Sequence, residues 1–233
     1  MSGIRCYTNW NKRSADINPK IEPFRKYIFV CEGQNTERWY FTRLIDLKKE
    51  LGIHPMIDVQ LMEKPEGEET NSHPKRLIDF ANRLKADSTL RFDHKHDKII
   101  IVFDVDVFKR GNKGEQYKKL IEEKGENIFA VTNSSFELFL LLHYEDAFKK
   151  HIKPYENEII ANKKKSKRRF IDRHFSSISK INPKENPRVG DLVENIQTAI
   201  KEESNINQNI DLALNAITSN VGKVINDIIS ETV

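Results

Sequence analysis

The run Lys98-Ile99-Ile100-Ile101-Val102-Phe103 is the most apolar strand-like stretch of the chain, and it leads without a break into Asp104-Val105-Asp106. It is too short for an ordinary helix and too continuous to lie half in water. It therefore reads as a strand buried on both faces, the condition of strands in parallel sheets. Parallel strands need crossover connections, and their two faces need covering helices. One stretch thus commits the chain to an α/β layered fold.

The rest of the chain agrees. Tyr27 to Cys31 (YIFVC) is a second buried strand and ends at Glu32-Gly33. A helix follows, with Asn35 or Thr36 as cap, Glu37 in its first turn, and Tyr40, Phe41, Leu44, Leu47 and Leu51 as its apolar stripe before Gly52. Met56 to Leu61 is a weaker strand, and Glu63 to Ser72 a polar loop. A helix from Pro74 carries Leu77, Ile78, Ala81 and Leu84 at helical spacing. Glu115 to Lys124 reads as a helix, Ile128 to Val131 as a fourth strand, and Ser134 to His143 as a very apolar helix. The expected fold is a mainly parallel four-stranded sheet flanked by helices. Residues 1–25 form an N-terminal arm, 26–150 the main domain, and 151–233 a helical C-terminal extension interrupted at Asn182 to Pro187.

With 233 residues the chain suits one compact domain or one with a small appended lobe. No apolar run approaches the roughly 18 residues of a membrane span, and Met1 to Lys26 lacks the apolar core of a signal peptide. The cytoplasm is the expected location. Cys6 and Cys31 are the only cysteines, too few for a disulfide framework or a Cys-rich zinc site, and Cys31 reads as a small core residue. His94 and His96, near Asp93 and Asp97, lack a third soft ligand for zinc. The net charge of +4 says little, but its distribution is uneven. Acids collect at Glu63 to Glu69, and basic residues at Lys163, Lys164, Lys165, Lys167, Arg168 and Arg169, followed by Arg173. Such a run suits a phosphate backbone, though it is equally a solvated helix face.

Functional groups of open α/β sheets sit beyond the carboxyl ends of the strands. Glu32, Asp104 and Asp106 all occupy that edge. Acids gathered there repel one another, and a hard cation such as Mg²⁺ relieves the repulsion, with carboxylates and waters as its preferred ligands. Taken singly, Asp-x-Asp after a strand is also ordinary turn chemistry, Glu37 also compensates a helix dipole, and His143 also caps a helix C-terminus.

Three stretches carry a family resemblance. Phe29-Val30-Cys31-Glu32-Gly33-Gln34-Asn35-Thr36-Glu37 with Tyr40-Phe41, Val102 to Asp106, and Asn133 to Tyr144 resemble, in order and spacing, the motifs of RloB-like proteins, defence-associated members of the Toprim superfamily. Ser134 stands where that family usually has Pro and Phe139 where it usually has Trp, and Ala216 to Val224 matches the family's ending only faintly. The resemblance implies a Toprim-like, Rossmann-like fold and a Mg²⁺-dependent nuclease centre, with Mn²⁺ as a substitute. Glu32 would act in proton transfer and ligation, and Asp104, Asp106 and Glu137 would hold metal, with Glu37 and His143 as auxiliary candidates.

It further implies antiphage defence or abortive infection, a nucleic-acid substrate (DNA or RNA, including tRNA), and a separate ATPase or other defence component as partner. A dimer is compatible with this reading. The rival is a non-catalytic module that binds nucleic acid or the ATPase. A dinucleotide-binding fold is disfavoured, because Glu32-Gly33-Gln34-Asn35 offers one glycine where the fingerprint needs three.

Overall fold

The two strongest strands lie side by side in parallel, with Tyr27 opposite Lys98 and Cys31 opposite Val102. In this computed structural model residues 5–7, 23–64, 73–109 and 113–232 are described. The elements are β1 (Arg5–Tyr7), β2 (Arg25–Cys31), α1 (Thr36–Asp46), β3 (Ile57–Glu63), α2 (Pro74–Ala86), β4 (Lys98–Asp104), α3 (Asp106–Lys109), α4 (Gly114–Glu122), β5 (Ile128–Asn133), α5 (Phe136–Leu141), α6 (Glu156–Ala161), α7 (Phe170–Ser179), α8 (Ile196–Glu203), β6 (Thr218–Ser219) and α9 (Val221–Ile229).

The sheet order is β1-β3-β2-β4-β5-β6. Its four inner strands are parallel, as the apolar runs require. The sheet has six strands rather than the expected four, because β1 and β6 join its edges antiparallel. These edge strands have three and two residues, too few for a period to register in the sequence.

Strand alternation sorts the core into two layers. Phe29, Cys31, Ile100 and Val102 face Tyr40, Phe41 and Leu44 of α1, while Ile28, Val30, Ile99, Ile101 and Phe103 face Leu77 and Leu84 of α2 and Tyr117 and Leu120 of α4. Each fully buried side chain of this size contributes about 1.5–3 kcal/mol, so five consecutive ones in β4 anchor the sheet. Cys31 is buried and free, as a core residue should be.

Sheet order also fixes where a site can form. From β2 the chain passes through α1 to β3 on one side, and then through α2 to β4 on the other side of β2. The connections leaving β2 and β4 therefore diverge, and a crevice opens between the carboxyl ends of these two strands. Glu32 and Asp104 stand at that point.

Several boundaries differ from those read in the sequence. α1 ends at Asp46, although Leu47 and Leu51 still pack on the core. α5 begins at Phe136 rather than Ser134. Residues 151–233 are only partly helical, with 3₁₀ turns at Lys153–Tyr155, Pro187–Asn195 and Ile210–Leu212. They also share the main core: Ile171, Phe175, Ala199, Val221 and Ile225 belong to the same cluster as Phe29 and Tyr40, and β6 extends the sheet. Of the N-terminal arm, residues 1–4 and 8–22 lie outside the described residues, as do 65–72 of the polar loop. No helix among the described residues is long and apolar enough to cross a membrane.

Asn220 completes the β5 edge. Its Oδ1 accepts the Val131 N–H at 2.7 Å and its Nδ2 donates to the Phe129 carbonyl at 2.8 Å, in place of a neighbouring strand. Asn220→Ala strips both backbone groups of partners inside the protein, so a loss of about 2–4 kcal/mol in urea unfolding is expected. A change under about 0.5 kcal/mol would contradict this role.

Candidate functional site

Each acid reaches the crevice from a different element. Glu32 extends β2, donating its N–H to the Val102 carbonyl at 3.0 Å, and its Oε2 accepts the Asp104 N–H at 3.1 Å. Asp104 ends β4, and its Oδ1 accepts the hydroxyl of Thr132, its register partner on β5, at 2.5 Å. Asp106 opens α3. Glu137 lies in the first turn of α5, where its Oε2 accepts the Ser135 hydroxyl at 2.6 Å. Glu37 comes from the first turn of α1. All five line one cavity of about 600 Å³.

Gly33 leaves the room that the Glu37 carboxylate occupies. A β-carbon there would fall 1.9 Å from a Glu37 carboxylate oxygen. The Glu-Gly pair after β2 is therefore the seat that lets Glu37 lie across the strand end, and Glu37, 6% exposed, is a member of the site rather than a surface dipole partner.

The electrostatics follow from crowding. Burial raises the Glu32 carboxyl to about 8, with Glu37 and Asp106 adding repulsion and the Asp104 N–H and Lys64 opposing it. Burial also raises Asp104, reinforced by Glu32, Glu37 and Glu137, and it raises Glu37 against the attraction of Lys184. Burial would raise Glu137 as well, but Lys184 and the Ser135 hydroxyl outweigh it and hold this carboxyl below its ordinary value. Charge and burial thus split these four acids, holding Glu137 ionised and pushing Glu32, Asp104 and Glu37 toward the protonated form.

Two cations meet them. Arg169 pairs with Asp106 at 2.6 Å, and Lys184 pairs with the fully buried Glu137 at 2.5 Å. Lys184 was not singled out by the sequence reading. It stands in the helix-breaking stretch at Asn182 to Pro187, and the expected caps of α1 hold it there. Asn35 Nδ2 donates to the Lys184 carbonyl and Thr36 Oγ1 to the Pro183 carbonyl, so neither side chain caps the helix. Asp172 and Thr132 are further site residues without a local sequence signal.

The basic run is not a helix face. It is a tight connection between α6 and α7, bridged at Lys165 and Arg168. Lys164, Lys167 and Arg169 turn toward the carboxylate cavity. Arg168 donates to the Asp172 carbonyl and the Ser176 hydroxyl, and Arg173 donates to the Arg168 carbonyl, so these two brace the turn. Lys163 and Arg173 line a separate shallow cavity with Phe170. Lys165 is exposed and does not line the carboxylate cavity.

His143 lies away from the site. Its Nδ1 sits 3.1 Å from the Phe139 carbonyl and its Nε2 accepts the Tyr40 hydroxyl at 2.9 Å, the tautomer that satisfies both partners. Burial lowers it to about 4, so it is a neutral core group at ordinary pH.

The donor set suits a hard divalent cation, being all carboxylate and short of countercharge. As the side chains stand, however, no three His, Cys, Asp or Glu residues among those described are gathered closely enough to hold an ion. Glu137 and Asp106 instead face Lys184 and Arg169. Ligation by Glu32, Asp104, Asp106 and Glu137 would thus exchange two ion pairs for an ion.

A family model described as RloB-like protein matches residues 27–228. No curated protein and no solved structure matches the chain.

The raised Glu32 carboxyl has a sign consequence. Its ordinary value is 4.5 and its folded value about 8, so between these the folded state binds the extra proton and stability falls as pH rises, by about 1.4 kcal/mol per pH unit at most. His143, lowered from 6.5, opposes this only below about pH 6.5. In chelator, the melting temperature is expected to fall from pH 6.5 to 8 and to fall less in Glu32→Gln. A flat or rising wild-type profile would contradict the crowded-carboxylate description.

Proposed function

The chain belongs to the RloB-like family, and we propose that it is a metal-dependent nuclease of Toprim type that hydrolyses phosphodiester bonds of nucleic acid. The observation that carries this reading is the convergence of Glu32, Glu37, Asp104, Asp106 and Glu137 on one cavity whose rim is Lys164, Lys167, Arg169 and Lys184. Carboxylates alone would repel a phosphate and cations alone would only bind it. Together they suit a phosphodiester approaching a cation centre.

Glu32, Asp104, Asp106 and Glu137 would hold Mg²⁺, or Mn²⁺ in its place. When bound, such an ion stabilises charge on the phosphoryl oxygens and acidifies a water. The chain's own groups do the rest. Lys164, Lys167 and Arg169 would draw the anionic backbone into the crevice. Glu32, at the end of β2 with one carboxyl oxygen on the Asp104 N–H, would hold or release a proton at its other carboxyl oxygen, as a general acid or base requires. Lys184 keeps Glu137 ionised. A role in antiphage defence or abortive infection, with an ATPase or other component supplied by another polypeptide, belongs to the same proposal.

One observation favours a second reading, a non-catalytic module of a defence system: Asp106 and Glu137 already form ion pairs with Arg169 and Lys184 without an ion.

Incubating the purified chain with plasmid, single-stranded DNA and total RNA, with Mg²⁺ or Mn²⁺ and with chelator, separates the two. The nuclease reading expects cleavage that chelator abolishes and that Asp104→Asn and Glu32→Gln reduce by about 10²-fold or more. Cleavage that survives chelation or both substitutions would rule out this centre. Thermal stabilisation by the ion without cleavage of any substrate would favour the module.

A further inference from the structure

Beside the carboxylate cavity lies a second one of about 490 Å³, and Asp106, Lys164 and Arg169 belong to the walls of both. The Arg169–Asp106 ion pair therefore stands between them. The second cavity adds Lys109 from α3, Ser134 from the β5–α5 connection, and Asn162. Its charge is opposite to that of its neighbour: Lys109, Lys164 and Arg169 face one carboxylate, Asp106, which Arg169 already engages.

Ser134 supplies the second observation. It is 1% exposed, and among the described residues its buried hydroxyl has no hydrogen-bond partner. A buried hydroxyl left so is destabilising, which points to an acceptor that arrives from outside the fold. Lys109 donates to the Ile160 carbonyl at 3.0 Å, which uses one of its three N–H groups. The cavity thus presents a hydroxyl donor, two ammonium groups and a guanidinium. A tetrahedral oxyanion satisfies all of them, and an apolar ligand none.

We propose that this second cavity is a phosphate subsite, seating the backbone phosphate adjacent to the one positioned at the carboxylates, with Lys109, Lys164 and Arg169 as its cations and Ser134 as its hydroxyl donor. This rests on reading the adjoining cavity as a phosphodiester site, and it adds to that reading a fixed register for the chain. Phosphate contacts of this kind position a nucleic acid without reading its bases. Lys109 and Ser134 are therefore positioning residues. Arg169 links the two cavities, because whatever neutralises Asp106 releases the guanidinium toward the phosphate.

The test is binding in chelator, so that neither a metal nor cleavage enters the readout. A fluorescein-labelled single-stranded oligonucleotide without terminal phosphate, the same oligonucleotide with a 5′-phosphate, and inorganic phosphate as competitor are titrated against wild type, Ser134→Ala, Lys109→Gln and the control Lys163→Gln. Ser134→Ala and Lys109→Gln are each expected to weaken the unphosphorylated oligonucleotide about tenfold, and Lys163→Gln to change it less than about twofold. Lys109→Gln should also flatten the salt dependence by about one single-strand contact, roughly 0.7 in the log–log slope.

Ser134→Ala removes an unpartnered hydroxyl, so its melting temperature without ligand should equal or exceed that of wild type, which a structural serine would not show. If only the 5′-phosphorylated oligonucleotide or inorganic phosphate depends on these residues, the site takes a terminal phosphate and the backbone assignment is overturned. If no probe depends on them, the subsite itself is overturned. Because no cleavage is measured, a chain that binds as expected but never cuts would overturn the nuclease reading and leave the subsite standing.

Discussion

Mutual repulsion among the carboxylates of one cavity is the constraint around which this molecule is arranged. Glu32, Glu37, Asp104, Asp106 and Glu137 are brought together by the divergence of the connections leaving β2 and β4, and without compensation their assembly would be costly. Compensation arrives from far along the chain. Arg169 comes from the turn before α7 and Lys184 from the break after it. The polar groups of the surrounding loops serve the same end: Thr132 and Ser135 donate to Asp104 and Glu137, and Asn35 and Thr36 fasten the segment that carries Lys184.

This explains why residues 151–233 cannot be regarded as an addition to the sheet. Its helices cover the face on which α1 lies, β6 and Asn220 finish the β5 edge, and its cations Arg169 and Lys184 pair with two of the acids. Sheet and C-terminal segment are tied by apolar burial at one level and by charge at another.

What could be read from the sequence was what is local. The β4 run and the YIFVC strand declare themselves by apolar continuity, and the acids at their ends follow from chain direction alone. Glu37 and Glu137 were legible as acids in first helical turns, though only the fold shows that both are buried in one cavity. Lys184 was not legible, because a lysine between prolines looks like any exposed loop residue until a tertiary contact gives it a partner. The seven basic candidates were likewise indistinguishable in sequence. The turn between α6 and α7 divides them, sending Lys164, Lys167 and Arg169 to the cavity and Arg168 and Arg173 to its own bracing. His143, read both as a helix-end group and as an auxiliary candidate, lies among Tyr40 and Phe139 in space, which only the fold shows.

Family membership, a parallel sheet with acids at its switch point, and a cationic rim all fit one chemistry, but each would also fit a charge-balanced scaffold. The distinction lies in whether the carboxylates exchange their protein cations for a metal ion. Titration of Mn²⁺ followed by its paramagnetic signal, at neutral pH on wild type and Asp104→Asn, measures that exchange. The expected result is saturable binding by wild type, accompanied by proton release, and at least tenfold weaker binding by the variant. Equal affinity for the two proteins, or no binding by a folded wild type, would contradict the metal centre.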